Sequence, residues 1–354
     1  MKSRYLVGLA LSMWLLAGCE PLEMRYTLNA DLEKELDIEL SDATRGELAA
    51  ALDQVFGTPR EPKLDPVVAK PGVIHSNAEQ LAEGAASYRR LCMHCHGLSG
   101  DGNGPTAGPK ENRWLNPRPR DYRRGAFKFT STDKDTPKPT RDDLLRTLKN
   151  GVPGTSMPSF ALYDPEQIER ILDYVILLSM RGETERFVVG NYQSGEPITA
   201  DVVTENAKFM ARFWSGTEPK IVKPKTAPTA LTEESVANGK KLYMDRNVQC
   251  LACHGPEGRG DGLERQVADP SIKTNDVWGD RAKPANLTLG VYRGGGRPID
   301  LFRRIHAGIK GTPMPSQAIN LKEEQIWDLV NYVRMLPYLE EDQASSGESS
   351  AKHK

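Results

Sequence analysis

A five-residue pattern of two cysteines and a histidine occurs twice in this chain, as Cys92-Met93-His94-Cys95-His96 and as Cys250-Leu251-Ala252-Cys253-His254. At this spacing two thiols can add across the two vinyl groups of a haem, and the next residue then lies under the ring, where a histidine can bind the iron. The repeat therefore predicts two covalently attached haem c groups. The residues predicted to hold them are Cys92, Cys95, Cys250 and Cys253, with His96 and His254 as iron ligands.

Paired cysteines have two other common uses, a structural zinc site and a redox-active dithiol. Zinc-binding pairs usually lie about 15 to 20 residues apart, whereas 155 positions separate Cys95 from Cys250. Neither pair lies in a strand–helix–strand pattern typical of a thioredoxin-like site. The spacing therefore favours haem attachment over both alternatives.

The fifth cysteine, Cys19, closes a short N-terminal signal. Lys2 and Arg4 give a positive start, an apolar run follows over residues 5–16, and small residues precede the cysteine. The run is too short for a membrane-spanning helix. The pattern resembles a bacterial lipoprotein signal, which predicts a signal peptide over residues 1–18, lipidation at Cys19, and a membrane-anchored protein facing the periplasm or the cell exterior. An ordinary secretory signal with a coincidental cysteine is the alternative, and it too implies export.

Length and charge limit the classes of function. A chain of 354 residues can hold two or more modules. Lys and Arg total 47 against 48 Asp and Glu, and this balance gives no support for nucleic-acid binding. After the signal, no apolar run of about 18 residues suggests a transmembrane helix.

Two terminal segments flank the region that carries the motifs. Residues 19–72 are predicted to form a lipidated tether with one short helix, capped by Thr44 and Glu47 and ended by Gly57. Leu48, Leu52 and Val55 share a face of that helix. A docking element for a partner is the alternative interpretation. Residues 338–354 are polar and are predicted to be disordered.

The cysteine motifs lie within a longer internal repeat, over residues 73–182 and 227–337. Each copy opens with a helix in which glycine precedes tyrosine by four positions, Gly84 with Tyr88 and Gly239 with Tyr243. Such a glycine would let another helix cross closely, with the tyrosine packed at the contact. The predicted caps are Ser76 with Glu79 in the first copy and Thr232 in the second.

Each copy closes with a second amphipathic helix. Asp164 is the predicted cap of the first, with Pro165 in its first turn, and Asn320 is the predicted cap of the second. Tyr174 and Tyr332 occupy matching places in the two helices. The apolar stripes contain Ile168, Leu172, Val175 and Leu178 in the first copy and Ile326, Leu329, Val330 and Val333 in the second.

A proline-flanked methionine recurs between these helices, in Thr155-Ser156-Met157-Pro158-Ser159 and Thr312-Pro313-Met314-Pro315-Ser316. A thioether from such a loop is a suitable soft ligand for haem iron. Met157 follows His96 by 61 positions and Met314 follows His254 by 60, which is enough chain to pass the ring edge. Met157 and Met314 are therefore the predicted second axial ligands, and an iron so bound has no vacant site.

The remaining histidines and methionines are interpreted as ordinary residues. His94 lies between two cysteines and should point away from the iron. Surface or packing roles are expected for His75, His306 and His353, and core packing for Met93, Met180, Met210, Met244 and Met335.

The whole pattern resembles the class I cytochrome c domain occurring twice. The resemblance rests on the Gly-and-aromatic opening helix, the Cys-x-x-Cys-His-Gly motif, the Met-Pro loop and the aromatic-bearing closing helix. It implies a mostly α fold, with two tandem helical haem domains joined by a linker and preceded by the tether. It also implies electron transfer through an exposed haem edge.

The chain departs from that family by insertions. Residues 114–129 and 278–297 form extra loops, and residues 183–226 form a long connector. Val203, Ala207, Met210 and Trp214 lie at helical spacing in the connector, which is interpreted as an inter-domain strut. The basic residues Arg118, Arg120, Arg123 and Arg293 could pair with haem propionates or an acidic partner, or could simply be solvated.

The predicted function is that of a lipid-anchored dihaem electron carrier or electron-transfer subunit. Its expected partners are redox proteins, namely a membrane oxidoreductase complex and an electron acceptor, and no nucleic acid. No residue is assigned a catalytic role. A dihaem peroxidase is the enzymatic alternative, but it would need a displaceable ligand at one haem, whereas both copies keep the Met-Pro loop. A sensory or structural haem lipoprotein is a third reading.

Overall fold

The computed structural model describes residues 23–66, 68, 72–108, 117–265 and 275–350. The predicted signal peptide and Cys19 therefore lie outside the described residues. Within these ranges the chain is mostly helical, and β-structure is limited to three isolated bridges, which confirms the predicted fold class. The α-helices are α1 (Asp31–Leu36), α2 (Asp42–Phe56), α3 (Ala78–Leu91), α4 (Met93–His96), α5 (Arg141–Asn150), α6 (Pro165–Gln193), α7 (Ala200–Ser215), α8 (Glu233–Met244), α9 (Cys250–His254), α10 (Gly262–Arg265), α11 (Pro298–Ala307) and α12 (Glu323–Ser350).

Helices α3 and α6 cross in the first copy at the predicted glycine. A Cβ placed on Gly84 would overlap the carbonyl oxygen of Arg170 on α6, so only glycine allows this approach. The Tyr88 and Tyr174 rings meet beside the crossing, edge to face, with centroids 5.2 Å apart. The stripe predicted on α6 is buried along its length.

Helices α8 and α12 form the same crossing in the second copy. A Cβ on Gly239 would overlap the carbonyl oxygen of Asp328. The Tyr243 and Tyr332 rings also lie 5.2 Å apart, at the same interplanar angle of 61° as in the first copy. The repeat predicted from sequence is therefore a repeat of packing as well.

Of the four helix caps predicted within the two copies, two are confirmed and two are wrong. Asp164 and Thr232 accept hydrogen bonds from the first turns of α6 and α8. The cap of α3 is Asn77 rather than Ser76, whose backbone N–H and hydroxyl instead donate to Asp173 on α6, at 2.8 and 2.6 Å. Helix α12 begins at Glu323, so Asn320 precedes it in a turn and donates to Gln317.

The N-terminal segment contains two helices rather than the single predicted one. Helix α2 ends before Gly57 as expected, but its cap is Ser41 and not Thr44. Its Leu52 and Phe56 side chains are fully buried in the same apolar core as α3, α6 and α7. The Tyr26 hydroxyl also lies 3.1 Å from that of Tyr174. Residues 26–56 are thus packed against the core of the first copy, so this part of the predicted tether belongs to that folded unit.

Helix α6 continues past residue 182 to Gln193, and α7 follows within the predicted connector. The four residues predicted to share a face of α7 are all buried, from Val203 and Ala207 to Met210 and Trp214. The Trp214 Nε1–H donates to Glu183 of α6 at 2.9 Å. Helix α7 and the end of α6 are therefore a helical extension of the first core, and the role of an inter-domain strut stays a prediction.

The two copies pack against each other through long cationic side chains. Lys310 of the second copy donates to the Thr132 hydroxyl at 2.6 Å, to the Asp133 carbonyl at 2.9 Å and to the Thr136 carbonyl. Arg304, which is 7% exposed, donates to the carbonyls of Lys128 and Thr130. Backbone carbonyls of the first copy thus receive charged donors from the second.

The C-terminal tail differs from its prediction. Disorder is predicted from residue 338, whereas α12 continues to Ser350, and residues 351–354 lie outside the described range. No helix in the described ranges has the length and apolar character needed to cross a membrane.

Candidate haem sites

Each cysteine motif forms one turn of helix. In the first copy the amides of Cys95 and His96 both donate to the Cys92 carbonyl, at 3.1 and 2.9 Å. The second motif forms α9 in the same way. All four of these cysteines are free thiols. Burial raises the pKa of Cys92 to about 12 and that of Cys250 to about 11, so in the chain without haem both are neutral thiols.

A glycine follows each motif and turns the chain away from the histidine. Gly97 and Gly255 have φ angles of 76° and 77°, a region that favours glycine because it lacks a Cβ. Their carbonyls accept hydrogen bonds from the buried hydroxyls of Tyr88 and Tyr243, at 2.8 and 2.7 Å. The tyrosine at each helix crossing therefore also fixes the turn beside the predicted iron ligand.

The two histidines are held in one tautomer by backbone carbonyls. His96 Nδ1 lies 3.2 Å from the carbonyl oxygen of Arg120, and His254 Nδ1 lies 3.0 Å from that of Ala285. A carbonyl can only accept, so each Nδ1 carries the proton and each Nε2 keeps a free lone pair. Burial lowers the pKa of His96 to about 4 and lowers that of His254 as well. Both imidazoles are therefore neutral and oriented, as metal-binding histidines usually are.

The methionine loops have matching hydrogen bonds. The Met157 carbonyl accepts from the Val152 amide at 3.1 Å, and its own amide donates to the Thr155 hydroxyl at 3.1 Å. In the second copy Met314 makes the same two contacts, with Ile309 and Thr312, both at 3.3 Å. The Met157 and Met314 side chains are half-buried. Each thioether is thus presented by a loop with a fixed backbone.

The other histidines and methionines behave mostly as expected. His94 is exposed while His96 is 8% exposed, which supports the choice of His96 as the ligand. His306 packs against Phe302, with ring centroids 5.6 Å apart. Met180 and Met210 are buried in the core, but the prediction of core packing is wrong for Met244, which is 40% exposed.

The residues present fit a haem c at each motif. Two free thiols lie one helical turn apart, a neutral imidazole has Nε2 available, and a thioether lies on a structured loop in the same domain. A zinc site would need three or four ligands together, and no such group of His, Cys, Asp or Glu occurs within the described ranges.

Comparison with protein families assigns both copies. Residues 79–175 match the model described as cytochrome C oxidase, cbb3-type, subunit III, and residues 236–337 match the model described as cytochrome c. The chain is a tandem cytochrome c. A similar solved structure is a chain of the Kuenenia stuttgartiensis reducing HAO-like protein complex, with 30% identity and a TM-score of 0.54, covering 72% of this chain and 95% of that one. No curated protein matches the sequence.

Membership of the cytochrome c family establishes the cofactor and the chemistry. The two domains bind two covalently attached haem c groups, and haem-mediated electron transfer is the activity of such domains. The assignment of individual ligands rests on the geometry described above.

Sequence reasoning missed the two carbonyl partners of the histidines. The signal that could have found them is a proline directly before each partner, Pro119 before Arg120 and Pro284 before Ala285. The sequence also did not decide whether the basic residues of the loops are paired or solvated. Arg118 donates to the Gly102 and Gly108 carbonyls, and Arg123 pairs with Asp121 at 2.8 Å, whereas Arg293 is exposed.

Proposed function

We propose that this tandem cytochrome c is a lipid-anchored dihaem electron carrier or electron-transfer subunit whose irons are bound by His96 with Met157 and by His254 with Met314. The observation that carries the proposal is the identity of the hydrogen bonds in the two copies, at both the histidine and the methionine loop. A peroxidase-like site would need one copy to release its methionine ligand, whereas the two methionine loops make the same hydrogen bonds.

The bound haem supplies a one-electron Fe(III)/Fe(II) couple. The residues of the chain keep the coordination constant between the two states. The Arg120 and Ala285 carbonyls hold each imidazole in one orientation, and the tyrosine hydroxyls of Tyr88 and Tyr243 fix the turns that follow. A centre whose ligands do not move needs little reorganisation when it gains or loses an electron.

Carbon monoxide binding to the reduced protein tests this function. Full-length holoprotein is reduced anaerobically, mixed with carbon monoxide and followed by visible spectroscopy. With methionine on both irons, neither haem should bind the gas rapidly. Rapid stoichiometric binding at either haem would contradict the carrier and favour the enzymatic alternative.

The lipid anchor is a separate part of the proposal, supported by the signal pattern before Cys19. Several acyl chains on one residue would hold the protein at a membrane, since one chain binds only marginally. Fractionation of cells that express the wild type and Cys19→Ala tests it. The wild type should remain with the membranes, and retention of an equally processed Cys19→Ala protein there would contradict the anchor.

The partners are proposed to be redox proteins. The similar chain from Kuenenia stuttgartiensis belongs to a reducing HAO-like complex, which supports assembly of the present chain with a larger redox enzyme. Mild solubilisation of native membranes, pull-down of the chain and identification of co-purifying subunits tests this. Recovery of the chain alone, under conditions that preserve other membrane complexes, would contradict a subunit role.

A further inference from the structure

Trp278 lies in an insertion of the second domain, at the point where that domain meets the first. The preceding Asp276 is 8% exposed, and its carboxylate accepts hydrogen bonds from the amides of Trp278 and Asp280, both at 3.1 Å. The same carboxylate pairs with Lys128 of the first domain at 2.8 Å. A buried ion pair that also satisfies backbone donors fixes this turn against the first domain.

On the first-domain side, the indole is joined to the carbonyl that orients His96. The Arg120 guanidinium carbon lies 3.5 Å from the centre of the indole ring, and Arg120 supplies the carbonyl that accepts from His96 Nδ1. The indole Nε1–H also donates to the carbonyl of Asp121 at 3.3 Å. The carbonyl that accepts from His96 and the carbonyl that accepts from Trp278 therefore belong to two adjacent residues, Arg120 and Asp121.

On the other side, the same ring lies against the methionine loop of the second domain. A Cβ on Gly311 would come within 2.8 Å of two atoms of the six-membered ring, so the ring is in contact with that backbone. The Val277 amide donates to the Gly311 carbonyl at 2.9 Å. Gly311 is followed by Thr312, whose hydroxyl accepts from the Met314 amide.

These contacts form a continuous chain from His96, the proposed ligand in one domain, to the loop that carries Met314 in the other. The arrangement is one-sided, because the residue that matches Arg120 in the second domain is Ala285 and reaches no such partner. Arg120 and Lys128 both approach the same indole ring, at 3.5 and 5.2 Å from its centre. Two cations close to one indole ring favour a fixed ring position.

Resting on the proposed function, we propose that Trp278 is the junction through which an electron passes between the two haem sites. In each passage one iron is oxidised from Fe(II) to Fe(III) and the other is reduced from Fe(III) to Fe(II). No bond forms or breaks, no proton moves, and no further reactant is needed. Arg120 acts as a positioning residue, because it holds the indole against the carbonyls behind His96.

Flash photoreduction of the oxidised dihaem protein measures this passage. A flavin semiquinone delivers less than one electron per molecule, and the later, concentration-independent absorbance phase reports redistribution between the haems. Trp278→Ala should slow this phase most, because it removes both the indole hydrogen bond and the ring. Trp278→Phe should slow it less, since the ring remains, and Arg120→Ala should slow it while keeping the carbonyl on His96.

The matched control is Val291→Ala, at another place where the two domains approach each other, since a Cβ on Gly154 would lie 3.2 Å from the Val291 side chain. This change should leave the phase unchanged. Haem content, visible spectra and voltammetry are recorded for every variant. If the three variants of Trp278 and Arg120 keep the spectra and potentials of the wild type and also its rate of electron redistribution, that result would contradict the assignment of Trp278 as the junction. The absence of a concentration-independent phase in the wild type would also overturn it. A chain that holds fewer than two reducible haems would instead contradict the proposed function.

Discussion

The two histidines proposed as iron ligands are held in one orientation by backbone carbonyls. A buried imidazole with a lowered pKa stays neutral. The carbonyl at Nδ1 fixes the proton there, so Nε2 is the ring nitrogen with a free lone pair. Neither partner has a side-chain signature in the sequence, because any residue has a carbonyl. The motif therefore predicts the two histidines as ligands, whereas the sequence marks their carbonyl partners only by the prolines that precede them, Pro119 and Pro284.

Replacing Met157 tests the second axial ligand. Met157→Ala should lower the reduction potential of one haem, because methionine raises it relative to other ligands, and should open that iron to added ligands. Voltammetry and ligand titration measure both effects. Met244→Ala is the matched control, because Met244 is exposed and lies outside both loops. Unaltered voltammetry of Met157→Ala would show that another residue binds the iron.

The hydroxyl of Tyr88 can be tested by Tyr88→Phe. The change leaves the Gly97 carbonyl without its buried partner, which should lower the free energy of unfolding by about 1–3 kcal/mol. Denaturant unfolding of the holoprotein measures this. Tyr338→Phe is the control, since Tyr338 is 59% exposed. Equal stability of the two variants would mean that the hydroxyl does not support the turn.

The helix crossings were predictable because each depends on a pattern within one segment. A glycine and a tyrosine four residues apart mark one face of a helix, and the matching copy repeats them. Cap positions were less predictable, because tertiary contacts compete for the same side chains. Ser76 illustrates this, since its hydroxyl binds Asp173 and the cap passes to Asn77. The packing of α2 had no sequence signal beyond its apolar face.

The crossing of α3 and α6 predicts the effect of Gly84→Ala. The added methyl would overlap the Arg170 carbonyl, so the helices must separate, which should cost about 1–3 kcal/mol in the free energy of unfolding. Gly46→Ala in α2 is the matched control, because nothing lies within 4 Å of a Cβ there. That change should stabilise the protein by about 0.4–1 kcal/mol. Opposite signs are expected in denaturant unfolding, and equal shifts would contradict a close crossing.

The packing of α2 into the first domain predicts a large effect of Leu52→Ala. Leu52 has no exposed surface, and truncating a fully buried leucine usually costs about 2–5 kcal/mol. Unfolding followed at the haem absorbance measures the stability of the haem domain itself. Leu231→Ala, at a half-exposed position, is the control. An unchanged haem transition in Leu52→Ala would mean that residues 26–56 act as an independent tether.

The two domains pack against each other because cationic side chains of the second donate hydrogen bonds to backbone carbonyls of the first. Lys310 and Arg304 make these contacts, while Lys128 with Asp276 and Arg146 with Asp300 form ion pairs between the domains. The sequence could not reveal this interface, because most of its acceptors are main-chain oxygens and its donors look like ordinary surface residues. The internal repeat predicts two similar domains but contains no information on how they meet.

Replacing both cations tests whether this interface joins the domains in unfolding. Hydrogen bonds to charged groups contribute about 1.5–3 kcal/mol each, and methionine keeps the length and apolar stem of both side chains. Arg304→Met with Lys310→Met should therefore convert one calorimetric transition of the holoprotein into two, or widen the separation of two. Lys240→Met, at an exposed position on α8, should not. Since the same contacts hold the second domain against the first, where Trp278 meets Arg120, the double variant should also slow electron redistribution between the haems. A melt and a redistribution rate equal to those of the wild type would mean that the domains are held together by other contacts.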